Sequence, residues 1–187
     1  DTRVTAKLCS MLEITPTLHT FHEHTDDHKR AMIVADLVAG KNMALVTDAG
    51  TPAISDPGGM LVADAIAAGV QVVPIPGVSA VAAALSICGF PNARFTFVGF
   101  PPQKKGRETF FRELADIPHA IVLYEATHRI EKAIESLGAL ERNLCVCREL
   151  TKLHETIYRG TATEVLAQFA KTSTKGEFVI VVAPKMR

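Results

Sequence analysis

Residues 43–89 restrict the possible folds more than any other stretch, because short apolar runs there alternate with helix-patterned segments across turn-rich loops. "MALV" (43–46) is a continuous apolar run of the kind carried by a strand covered on both faces. It leads into "TDAGTPAISDPGG", an apolar helical segment from Met60 to Ala68, Gly69, a second run "VQVVPI", and a turn at Pro76-Gly77. A helix of small and apolar residues then runs to Gly89, and its all-round apolar character predicts packing on every side. Strand, helix, strand, helix with short loops predicts parallel βαβ units with right-handed crossovers. In open sheets of this kind ligands bind beyond the carboxyl ends of the strands. "VTDAGTPAISDPGGM" and "PGVSA" both occupy that position, so both are candidate site loops.

The first loop lacks the P-loop pattern GxxxxGK[ST] and is not GxGxxG. Pro57 lies where a phosphate-cradling loop needs a donating amide. Prolines fix φ and glycines permit close backbone approach, so such a loop can lie flat against a ligand and offer carbonyls and carboxylates. That chemistry suits an amino-bearing or cationic ligand better than a triphosphate. The same residues also suit two capped turns leading into a helix. In the second loop, Ser79 and Ala80 open a helix whose free amides can take a carboxylate, while Ser79 equally suits a plain helix cap.

The opening residues place Val4, Leu8, Met11 and Leu12 on one helical face, with Asp1 or Thr2 as N-cap. Thr25, Asp26 and Asp27 can cap a second helix through Ala39, which Gly40 closes. Near residues 92–102 the pattern changes, at "RFTFVGFPPQKKGR". Two domains are therefore expected, 1–94 and 95–187. The second is a mixed α/β half: "AIVLYEA", a helix from Thr127 to Leu137, a hairpin between Cys145 and Arg159, a helix opened by the capping box Thr161–Glu164, and "GEFVIVVAP".

The net charge is zero, with 20 basic and 20 acidic residues, which argues against gripping nucleic acid through bulk charge but permits a local basic patch. The four cysteines, Cys9, Cys88, Cys145 and Cys147, show no zinc spacing, and "CVC" follows the pleat of a strand. They read as reduced cysteines of a cytoplasmic protein. No apolar run is long enough to span a membrane, and no signal peptide is visible. His19, His22, His24 and His28 have no metal-ligand geometry in a loop, so no metal is expected. There is no GxSxG and no motif supporting a cysteine nucleophile.

Six motifs in one order carry a resemblance: "VTDAGTPAISDPG", "PIPGVSAVAAALSICGFP", "FTFVGFPP", "YEATHRI", "RELTKLHETIYRG" and "GEFVIVV". Together they resemble the S-adenosylmethionine-dependent tetrapyrrole methylase superfamily, and within it the branch that methylates a cytidine ribose 2′-hydroxyl in small-subunit ribosomal RNA. "DTRVTAKL" and "FHEHTDDHK" are similar to that branch as well. The resemblance implies two α/β domains with the cofactor in the cleft between them, and a homodimer. By resemblance, Asp48, Gly50, Ile54, Ser79, Ala80, Tyr124 and Leu150 line S-adenosylmethionine. Tyr124 equally suits a core position with its hydroxyl at the rim. The family begins with a strand and a "GNLxD" loop, and many members carry a C-terminal extension. This chain starts at Asp1 after the first and ends before the second, so it reads as a piece of a longer one.

Methyl transfer to a ribose hydroxyl is an in-line displacement aided by a base or a polarising cation. Glu149, Lys152 and Arg3 are the candidates, each also suited to a surface ion pair. Lys104, Lys105, Arg107 and Arg112 form the densest basic cluster, which Arg129, Arg148 and Lys152 can extend; with the resemblance, RNA contact is the expectation for this cluster. Two other functions fit the same sequence. One is a related methyltransferase acting on a tetrapyrrole or a protein; the other is an inactive RNA-binding or dimerisation fragment.

Overall fold

A computed structural model describes residues 2–186 of the chain. The N-cap role expected for Asp1 lies outside the described residues. The chain divides into two compact units, Asp1–Val78 and Ser79–Arg187.

The first unit contains three helices: α1 (Thr2–Met11), α2 (Asp27–Val38) and α3 (Gly59–Ala67). Asp26 caps α2 by accepting from the Lys29 amide at 2.7 Å, and Gly40, at φ 92°, follows its last turn. Arg30 joins α2 to α3: it pairs with the Asp64 carboxylate and with Asp27 at 3.0 Å. The Asp64 hydrogen bond raises the Arg30 pKa further.

The parallel βαβ units expected over 43–89 are not formed. Among the described residues, neither 43–46 nor 70–75 is a strand, and Val46, Val73 and Ile75 are exposed. An apolar run becomes a buried strand only when neighbouring strands satisfy its backbone. No such ladder reaches either run among the described residues.

The second unit is built on a five-stranded sheet of order β1-β2-β5-β3-β4, comprising β1 (Phe95–Phe97), β2 (Ala120–Ala126), β3 (Leu144–Arg148), β4 (Thr156–Gly160) and β5 (Glu177–Val182). Only β1 and β2 pair parallel; the β2–β5, β5–β3 and β3–β4 pairs are antiparallel. The expected hairpin is present, with Cys145 opposite Arg159. One sheet face is covered by α5 (Arg107–Glu113), α6 (Ile130–Gly138) and α7 (Ala162–Phe169). Ile121, Leu123, Ile134, Leu137, Val146, Val165 and Ile180 are buried there in one cluster. Thr161 and Glu164 form the capping box of α7. Residues 127–129 form a 3₁₀ turn ahead of α6, so that helix starts later than its sequence suggests.

The other face carries α4 (Ala80–Ile87), whose Val81, Ala84 and Leu85 pack against Val122, Cys145, Cys147, Val179 and Val181. This packing places α4 in the second unit, ahead of the division expected at 94/95. It also buries only one face of the helix, leaving Ala82, Ser86 and Ile87 exposed. Alanine and serine cost little when solvated, so a helix rich in them need not be covered on all sides. No helix is long and apolar enough to cross a membrane among the described residues.

Candidate functional site

In the first unit the loop after residue 46 is fastened from within. Thr47 Oγ1 donates to Asp56 Oδ2 at 3.0 Å, and Thr51 Oγ1 donates to the Val78 carbonyl at 3.2 Å. Gly58 has a φ of 135°, and a Cβ there would meet Leu45 Cδ2 at 2.7 Å. Asp56 therefore braces the loop, whereas Asp48, Gly50 and Ile54 remain exposed on it. Ala53 and Ser55, on either side of Ile54, have φ values of 65° and 56°.

The second unit repeats this arrangement around Leu150, which sits between Glu149 at φ 50° and Thr151 at φ 65°. A non-glycine residue in the left-handed region costs about 1–2 kcal/mol. Such strain persists where surrounding bonds impose it, and it concentrates at ligand clamps. Here the bonds are explicit. The Glu149 carboxylate accepts from the Glu177 amide at 2.8 Å and from Lys152 Nζ at 3.0 Å. Lys152 Nζ also reaches Glu177 Oε2 at 2.8 Å, and Glu155 Oε2 accepts from the Thr151 amide at 2.7 Å. Gly176 lies so close beneath Glu149 that a Cβ would stand 2.6 Å from its Cγ.

These bonds set the charges of the two catalytic candidates. The Glu177 amide and the Lys152 ammonium hold the Glu149 pKa below the usual carboxylate range. Its two glutamate partners, Glu177 and Glu149, raise that of Lys152. Glu149 is thus a firmly ionised but weak base, and Lys152 a persistent cation. Arg3, the third candidate, is exposed on α1 of the first unit.

Ala80, Tyr124 and Leu150, with Phe90, Phe97 and Ile157, are partly buried against the cluster beneath α4. The Tyr124 ring stands 4.9 Å from Phe97 and 5.2 Å from Phe100, the latter half exposed. Ser79 accepts from the Ala82 amide at 3.4 Å and so caps α4, while the remaining first-turn amides have no intrahelical carbonyl to reach. Three residues widely spaced in sequence thus share one buried cluster as their support, and Ala80 opens α4.

The basic residues separate into two kinds. Lys104, Lys105 and Arg112 are exposed. Arg107 and Arg129 instead hold the buried Glu125 carboxylate, each at 2.7 Å. Arg148 is 9% exposed and spends its guanidinium on the carbonyls of Lys175 and His154, at 2.6 and 3.2 Å, tying the 149–155 loop to the chain before β5. Sequence reasoning passed over Glu125 and Glu177. The signal for Glu125 was a carboxylate inside an apolar strand run, four residues before an arginine, since a buried carboxylate requires cationic partners. Cys145 and Cys147 lie 3.9 Å apart in the core, where their mutual hydrogen bond and burial push the Cys147 thiol up, away from nucleophilic use.

Residues 2–166 match the family model described as Tetrapyrrole (Corrin/Porphyrin) Methylases. Curated proteins called ribosomal RNA small subunit methyltransferase I are similar along nearly the whole chain. That of Synechocystis is 43% identical, covering 98% of this chain and 67% of the relative. That of Xylella fastidiosa (strain Temecula1) is 44% identical over 97% and 69%, and that of Escherichia coli O157:H7 40% identical over 97% and 66%. The chain thus spans about two thirds of the length of these relatives. Among solved structures, the methyltransferase CobJ superposes with a TM-score of 0.62 at 17% identity, covering 98% of this chain and 86% of its own. A uroporphyrin-III C-methyl transferase from Thermus thermophilus, complexed with S-adenyl homocysteine, gives 0.57 at 15% identity over 93% and 80%. Fold and sequence together define an S-adenosylmethionine-dependent methyltransferase. The chain belongs to the tetrapyrrole methylase family. The chemistry of the residues present fits that cofactor: the partly buried Tyr124 and Leu150 offer apolar surface of the kind a purine packs on, and the amides opening α4 suit a carboxylate.

Proposed function

We propose that the protein methylates the 2′-hydroxyl of a cytidine ribose in small-subunit ribosomal RNA. The observation that carries this reading is the 40–44% identity, over nearly the whole chain, to relatives named for small-subunit ribosomal RNA. In this reading Asp48, Gly50, Ile54, Ser79, Ala80, Tyr124 and Leu150 bind S-adenosylmethionine. The bound cofactor supplies an electrophilic methyl on a sulfonium. The two strained tripeptides around Ile54 and Leu150 support the assignment, because each holds an aliphatic residue fixed between imposed left-handed neighbours.

Lys152 would polarise the ribose hydroxyl and steady the negative charge growing on its oxygen, which would take the methyl as the methyl–sulfur bond breaks and give its proton to solvent water; Glu149, kept ionised, orients the ammonium. Arg3 is held in reserve as a second cation. Lys104 and Lys105 bear on phosphates. The assembly is a homodimer working in the cytoplasm, a state that exposed Met11, Leu12, Val38 and Ile66 of the first unit support.

The test is single-turnover transfer of labelled methyl to small ribosomal subunits and to free RNA. Lys152→Ala should slow transfer about 100-fold while weakening cofactor binding far less, and Glu149→Gln should slow transfer less. Wild-type rates in both variants would remove these two residues from the chemistry.

A further inference from the structure

Glu125 carries the wrong charge for RNA, yet it lies at the root of the basic loop. Its side chain is buried at the end of β2. Oε2 accepts from Arg107 Nη2 at 2.7 Å; Oε1 accepts from Arg129 Nε at 2.7 Å and from the Ala126 amide at 2.9 Å. Arg107 is pinned further. Its Nη1 donates to the Pro102 carbonyl at 3.2 Å, its guanidinium lies 5.0 Å from the centre of the Phe111 ring, and its amide donates to the Lys104 carbonyl at 3.3 Å. Gly106, at φ 85°, turns the chain between Lys105 and α5.

Every bond that closes residues 102–107 on themselves runs through Arg107, and Arg107 is held by Glu125. The only residues of this loop that project cations into solvent are Lys104 and Lys105. A shallow groove of about 380 Å³ beside Lys104 is lined by Lys104, Arg107 and Lys132 and equally by Glu108 and Glu135, so its wall carries both signs of charge. Two of the arginines expected to contact RNA, Arg107 and Arg129, are thus committed to a buried carboxylate, and two arginines on one glutamate leave the triad with one net positive charge.

We propose that Glu125 is a positioning residue for RNA: through Arg107 and Arg129 it fixes the 102–107 loop so that Lys104 and Lys105 meet phosphates in a set geometry. This rests on the RNA reading above. Its consequence runs against charge counting. Removing a negative charge near RNA should strengthen binding by simple electrostatics, whereas loss of this anchor weakens it.

The experiment compares wild type, Glu125→Gln and Arg107→Lys on small-subunit RNA across a salt series. Trypsin cleavage after Lys104 and Lys105 is followed in the same proteins without RNA. Both variants should raise KM for RNA about tenfold, lower the salt slope by about 1, and leave kcat and cofactor affinity alone. Cleavage at the two lysines should accelerate in both. Arg107→Lys keeps the charge but loses the second bond to Pro102, so it decides the matter if Glu125→Gln does not fold. Tighter or unchanged RNA binding in the folded variants overturns the inference while the RNA reading stands. A wild-type chain that binds no RNA overturns the reading itself.

Discussion

Glu149 is ionised because two donors converge on its carboxylate, and that makes its contribution to stability depend on pH. Its folded pKa lies below the ordinary value of 4.5, so the stabilisation is present above that value and is lost as pH falls through the lowered pKa. Glu149→Gln should therefore be less stable than wild type at pH 7 by about 1 kcal/mol, a gap that closes on acidification. Thermal melts of both proteins from pH 7 down to 3 check this. A gap that stays constant with pH would mean the charge is not responsible. Gly176 tests the same knot from below: Gly176→Ala puts a Cβ 2.6 Å from Glu149 Cγ at a φ of 132°. The expected cost is about 2–4 kcal/mol, read by denaturant titration, with transfer slowed as Glu149 shifts.

At the scale of elements, the features written locally were legible. The Asp26 cap, the terminal Gly40, the hairpin from Cys145 to Arg159 and the Thr161–Glu164 box all depend on residues within a few positions of each other. Thr161→Ala should accordingly cost about 1 kcal/mol by removing the cap of α7, measurable as a lowered Tm. Leu137→Ala, which opens a hole between α6 and the sheet, should cost about 2–5 kcal/mol. Features that depend on a distant partner were not legible. "MALV" and "VQVVPI" have the composition of buried strands, but composition cannot supply the adjacent ladder, and these runs stay unpaired among the described residues. Membership of α4 in the second unit follows from Val81, Ala84 and Leu85 meeting a sheet face whose strands lie about 35–100 residues later in the chain. The bonds of Glu125 to Arg107 and of Lys152 to Glu177 were hidden for the same reason.

Over the whole molecule, the candidate site was read in part through spacing and mostly through resemblance. Spacing marked the turn-rich loop at 47–59 and the helix opening at Ser79. It gave no reason to relate Tyr124 and Leu150 to Ala80, all three of which pack against one buried cluster of the second unit. The basic residues, read as one cluster, divide by burial into the exposed Lys104, Lys105 and Arg112 and three arginines spent on the protein. The proposed methyl acceptor is the 2′-oxygen of a cytidine ribose. A 2′-O-methyl group blocks alkaline cleavage at its own nucleotide, so label transferred to small-subunit RNA should survive hydrolysis in a dinucleotide whose first residue is 2′-O-methylcytidine. Label recovered on a free mononucleotide base, or in a dinucleotide opened by any other nucleoside, would contradict the account.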